Sequence, residues 1–208
     1  VTKYISSTIN HKTKKAPFIS IAGSHKKIKG KNIVKDSFVV FDIETTGLHA
    51  GNNEIIEIAA IKIANINNIE HDTFNALIKP KKSIPANITK ITGITNEMIE
   101  NADDIKTVLK DFCEFIEDYP LVGHNIDFDV KFVSNKANKC NIEFKNKMLI
   151  DTLPLSKKAF PELDNHKLTT LAEHIGINVD RNHRALDDVL ATLYVYTVST
   201  QLLYNFSK

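Results

Sequence analysis

An apolar run that ends in two carboxylates and a glycine, FVVFDIETTGL at residues 38–48, constrains this chain more than any other stretch. In an extended strand side chains alternate with period two, so Asp42 and Glu44 share one face while Phe41 and Ile43 fill the other. Like charges about 6–7 Å apart at the end of a buried strand are unfavourable unless a proton or a cation neutralises them, and a divalent metal is the natural neutraliser. A solvated strand end would also account for two acids, so the rest of the chain has to supply further ligands.

With 208 residues, 42% of them hydrophobic and 25% charged, the chain has the apolar content for one sizeable core. Cys113 and Cys140 lie in separate segments without a C-x-x-C pairing, which fits a reduced, cytoplasmic protein better than a disulfide scaffold. No apolar run approaches the ~18 residues that span a bilayer, and the lysine-rich start lacks the apolar core of a signal peptide, so no membrane partner is expected. Nine of the 27 basic residues and none of the 25 acidic ones fall in residues 1–35, so a formal net charge of +2 conceals a basic arm and an acidic body. Such an arm either lies along a nucleic-acid backbone or is a solvated leader. Residues 1–35 hold too little apolar surface for a core and read as a flexible extension ahead of a domain over 36–208.

Along the body, strands are expected at 38–44, at 54–63 where β-branched residues dominate, and at 70–78 where polar and apolar residues alternate. Ile84, Ile88 and Ile91 recur at helical spacing behind Pro85, and Gly93 ends that segment. Ile105, Val108, Leu109, Phe112, Phe115 and Ile116 form the stripe of a longer helix packed on a sheet. A short buried strand at 121–123, a helix from Asn125 carrying Phe128, Phe132 and Val133, a fifth strand at 148–150 and three helical segments complete the chain. The order β-β-β-α-β-α-β-α predicts an α/β domain: a five-stranded mixed sheet, flanked by helices, in which an antiparallel meander joins parallel strands through helical crossovers, with ligands gathered at strand ends.

Two further stretches carry chemistry. LVGHNIDFD at 121–129 runs from a strand into a helix and offers Asp127 and Asp129, between which the residues alone do not choose. HRALDDVLAT at 183–192 opens the last helix; five helical residues turn through ~140°, so His183 and Asp188 face one site only if His183 precedes the helix. A histidine on that loop, with an acid one turn inside, can reach over a metal the acid holds.

Together the D-x-E-T-T-G-L, H-N-x-x-F-D and H-x-A-x-x-D blocks, in this order, resemble the DnaQ-like DEDDh 3′–5′ exonucleases over residues 37 to about 200. TGIT at 92–95, DTL at 151–153 and HKLTTL at 166–171 are most similar to the exonuclease region of PolC-type replicative polymerases, with the epsilon-type proofreading subunit of DNA polymerase III close behind. The resemblance implies a ribonuclease H-like fold, Asp42, Glu44, Asp129 and Asp188 as ligands of two Mg²⁺ or Mn²⁺ ions, and His183 as general base. It leaves Asp127 and Asp187 as bystanders. It also implies that Thr45, Thr46, Gly47, His124 and Asn125 hold a terminal nucleotide and that Leu48 wedges between the last bases. Hard oxygen donors without a Cys–His set independently favour Mg²⁺ or Mn²⁺ over zinc.

The implied activity is removal of mononucleotides from a single-stranded or frayed DNA 3′ end, in proofreading or repair. RNA trimming is the nearest alternative, and a docking module in a replication complex the next. No polymerase fits in the remaining residues, so proofreading implies a polymerase partner or a longer parent chain. QLLYNF at 201–206 loosely resembles a sliding-clamp peptide, although Leu202 and Leu203 also continue the last helix's apolar face. The chain departs from the family pattern at Ile126 and Asp127, where small residues are commoner, and at Thr92, where many epsilon-type relatives have histidine.

Overall fold

The computed structural model describes residues 5–7, 37–65, 71–145, 148–177 and 184–205. Three strands come first in the body, β2 (Phe38–Thr45), β3 (Ile55–Ile63) and β4 (His71–Leu77), after a three-residue strand β1 (Ile5–Ser7). Helices α1 (Ala86–Thr92) and α2 (Ile105–Ile116) precede β5 (Leu121–Gly123), α3 (Asp127–Cys140) and β6 (Leu149–Asp151). Helices α4 (Thr152–Ala159), α5 (Leu168–His174) and α6 (Ala185–Asn205) complete the fold.

The sheet order is β1-β4-β3-β2-β5-β6. The meander β2-β3-β4 is antiparallel, and β5 and β6 continue from β2 in parallel, as the strand order predicts. β1 pairs antiparallel with β4 at the outer edge, so Ile5–Ser7 joins the sheet although the sequence assigns it to an extension. Three residues are too few for a periodicity to register. The rest of 1–35 lies outside the described residues.

β2 is apolar on both faces because both are covered. Val39, Phe41 and Ile43 pack in one core with Val108, Leu109 and Phe112 of α2 and with Phe132 and Val133 of α3. Phe38 and Val40 pack in the other with Ala185, Val189 and Tyr196 of α6 and Leu155 of α4. The rings of Phe38 and Tyr196 meet edge-on at 4.9 Å, and those of Phe41 and Phe112 lie 5.6 Å apart. Continuing the alternation 38, 40, 42, 44 puts both acids on the face covered by α6. Where β2 ends, the pairing skips: Glu44 lies opposite Glu57 and Thr45 opposite Ile55, a bulge that passes over Ile56.

α3 starts two residues later than its apolar pattern suggests. Asn125 takes a left-handed conformation (φ 60°), and its N–H donates at 2.9 Å to an Asp151 carboxylate oxygen that also accepts from the Leu153 N–H at the start of α4. One aspartate thus ties the ends of β5 and β6 together. Leu202 packs with the core cluster of Phe160, Leu171 and Val195, and Leu203 with the cluster around Tyr196. Both leucines of the clamp-like segment therefore serve the helix's own packing, while Phe206 lies outside the described residues. Among the described residues no helix is long and apolar enough to cross a membrane.

Candidate active site

Asp42 and Glu44 on β2 meet Asp188, one turn inside α6, so that one carboxylate oxygen from each lies within 4.8 Å of the other two. Asp129 reaches the same strand end from α3. β5 stops at Gly123, level with the middle of β2, so among the described residues the β2 edge beyond it has no ladder partner. The Ile43 N–H on that edge donates to the Asp129 carboxylate instead, and Asp129 is only 4% exposed. All four acids named from the sequence therefore gather at one end of the sheet, three with converging oxygens and Asp129 beside them.

Carboxyl groups crowded at one strand end set the electrostatics of the site. Burial, followed by the charges of Asp129, Asp188, Glu44 and Glu57, pushes the Asp42 carboxyl well above the usual carboxylate range. Burial and the neighbouring Asp188 and Glu57 raise Glu44 from the ordinary 4.5 to about 8, against a partial offset from Arg184. Burial raises Asp129 too, although backbone N–H groups at its own position and at Ile43 oppose the shift. At about 8, Glu44 is mostly protonated at neutral pH, and burial pushes Asp42 and Asp129 in the same direction; oxygen donors of this number and hardness suit Mg²⁺ or Mn²⁺, so the residues present fit the expected ions.

The T-T-G-L turn is locked by its own side chains. The Thr45 hydroxyl donates to the Gly47 carbonyl at 2.7 Å, and the Thr46 hydroxyl accepts from the Glu54 N–H at 2.9 Å. Asn53 spans the turn, its Oδ1 accepting from the His49 N–H at 2.9 Å and its Nδ2 donating to the Thr46 carbonyl at 3.3 Å. Both threonine hydroxyls are thus engaged in shaping the turn, and Leu48 is presented at its tip, 78% exposed. A Cβ on Gly47 would stand 2.6 Å from Asn53 Nδ2, and that amide is held at both ends. Gly47→Ala is expected to cost about 1–3 kcal/mol of stability through the displaced turn, measured as a shift in the urea midpoint. An unchanged midpoint would show that Asn53 yields freely.

His124 is fixed from both sides. Its Nε2 lies 2.9 Å from the His166 carbonyl, which can only accept, so Nε2 carries the proton and Nδ1 accepts from the Thr152 hydroxyl at 2.9 Å. Burial holds its pKa below the usual histidine range. The ring is a strut across β5, α4 and the 160–167 connection. His183, expected just ahead of the last helix, lies outside the described residues; the helix begins at Ala185.

Glu57 and Arg184 do not stand out in the sequence motifs. Glu57 is completely buried beside Glu44, and Arg184 grips it with two bonds of 2.8 and 3.1 Å. The available signal is one acid inside the otherwise apolar run IIEIAAI, a position tolerated only with a partner.

The model of the family described as "Exonuclease" matches residues 39–196. The DNA polymerase III PolC-type of Caldanaerobacter subterraneus is 44% identical over 163 residues, covering 78% of this chain, and that of Clostridium perfringens is 40% identical over 173 residues, covering 83%. The chain spans only 11% of the length of each. Among solved structures, E. coli exonuclease I in complex with a dA16 oligonucleotide superimposes with a TM-score of 0.70 at 20% identity, over 82% of this chain and 43% of that one. Exonuclease X in complex with 5′-overhanging duplex DNA gives 0.56 at 22% identity, over 78% and 92%. These likenesses show the same sheet-and-helix fold.

Proposed function

The chain belongs to the exonuclease family, and on that footing we propose that it is a divalent-metal-dependent 3′–5′ exonuclease releasing nucleoside monophosphates from single-stranded or frayed DNA ends. The convergence of the Asp42, Glu44 and Asp188 oxygens carries this reading. Those three acids and Asp129 would hold two Mg²⁺ or Mn²⁺ ions. Bound there, the ions supply the positive charge that makes a water nucleophilic at neutral pH and stabilises the departing 3′ oxygen. His183, in its neutral form, accepts the proton of the attacking water. The locked turn of Thr45, Thr46 and Gly47 offers its backbone to the terminal nucleotide, and the exposed Leu48 packs against its base. Asn125 contacts the nucleotide as well, and His124 serves indirectly by holding the loop that carries it.

DNA is favoured over RNA because the relatives that share this stretch are DNA polymerases and exonuclease I has been captured on a DNA oligonucleotide. The same relatives support a proofreading role within or beside a replicative polymerase. The test uses one single-stranded oligonucleotide labelled at either end, as DNA and as RNA, with Mg²⁺, Mn²⁺ or chelator. A 3′ label should appear at once as mononucleotide and a 5′ label as a shortening ladder, with DNA cut faster and chelator stopping both. Release of a 5′-labelled mononucleotide first, or cutting that survives chelation, would refute the proposal; faster RNA cutting would replace its substrate.

A further inference from the structure

We propose that Glu57 is a positioning residue, a buried latch on β3 that sets the start of α6 and with it the placement of Asp188. The inference rests on the exonuclease reading above, but the latch itself is read from bonds within the chain. Glu57 is 0% exposed and uses both carboxylate oxygens: Oε1 accepts from Arg184 Nη2 at 2.8 Å, and Oε2 accepts from Arg184 Nε at 3.1 Å and from the Ala185 N–H at 3.2 Å. The fork-to-fork pair fixes the guanidinium in one plane, which a single contact does not. Ala185 is the first residue of α6, whose leading N–H groups have no partner within the helix, so Glu57 caps that helix from another strand with a favourable charge at its positive end.

The latch transmits to the acids through the same residue it grips. The Arg184 carbonyl accepts from the N–H groups of Asp187 at 2.9 Å and Asp188 at 3.1 Å, so the residue held by Glu57 also opens the turn that carries Asp188. Glu57 lies directly opposite Glu44 in the β2–β3 ladder, so β3 holds α6 in register with the strand that presents the other acids. Glu57 is not among the converging oxygens; its charge is matched by Arg184.

Three proteins test this: wild type, Glu57→Gln and the milder Arg184→Lys, which keeps the charge but loses the fork. Mn²⁺ affinity is measured without substrate, from the free-ion signal in electron paramagnetic resonance, beside kcat and KM on a single-stranded DNA oligonucleotide. Both variants are expected to bind Mn²⁺ and to turn over about 10–100-fold more weakly, with KM held, as for other residues that orient metal-binding side chains. Wild-type Mn²⁺ affinity and kcat in both variants would overturn the latch. So would a loss in Glu57→Gln with none in Arg184→Lys, which would make Glu57 a direct ligand. If wild type binds Mn²⁺ but cuts no nucleic acid, the exonuclease reading fails while the Mn²⁺ comparison still decides the latch.

Discussion

Asp42→Asn is expected to abolish nuclease activity while making the metal-free protein more stable. The loss should be about 10³-fold or more, since a ligand that helps hold catalytic cations controls several kcal/mol of transition-state stabilisation. The gain comes from the charges that burial crowds together. Asp42 is raised well above the usual range, chiefly by burial, and Glu44 to about 8, so the folded, metal-free site holds protons that the unfolded chain releases. For Glu44 the stability is fully present below about 4.5 and is lost as pH rises through about 8. Asparagine at 42 never ionises. Thermal unfolding in chelator should therefore show Asp42→Asn melting above wild type at pH 8, with the gap narrowing at pH 5 and closing only below the 3.8 of an unperturbed aspartate. A variant that melts below wild type at pH 8 would mean the carboxylate is not under electrostatic strain.

Phe112→Ala is expected to destabilise the fold by about 3–5 kcal/mol, as deletion of a fully enclosed aromatic ring does. Phe112 is 0% exposed, and its ring lies 5.6 Å from both Phe41 and Phe74, so it joins α2 to the two outer strands of the meander, β2 and β4. Phe41 immediately precedes Asp42, so this packing is the support behind the acid-bearing strand. For a domain of this size the cost corresponds to a fall in Tm of roughly 6–20 °C. Calorimetry checks it, and a fall of only a degree or two would mean that the neighbouring rings collapse into the gap.

The body of the fold is legible in the sequence because its elements are periodic. Residues 105–116 follow a helical stripe over the whole length of α2, and the apolar run before Asp42 marks a strand covered on both faces. The four acids are legible as blocks, with Asp129 separable from Asp127 only by resemblance. What the sequence hides depends on distance in the chain. Glu57 and Arg184 are 127 residues apart, and nothing local in either marks the other as its partner. The helix start at Asp127 is hidden for a similar reason: Asn125 is bent away by Asp151, 26 residues on. The family resemblance assigns the two threonines and His124 to the nucleotide, whereas the structure finds their polar side-chain atoms engaged with the protein itself.

The bulge at Glu44 and Thr45 divides the chain into a stretch that cannot change length and one that can. Upstream, one residue gained or lost would turn Asp42 and Glu44 to the opposite face of the sheet. Downstream, strict alternation no longer carries forward, and a longer or shorter 46–53 turn leaves both acids facing α6. The acid cluster and the turn proposed to hold the substrate can thus be remodelled separately, with the boundary between them one skipped residue wide.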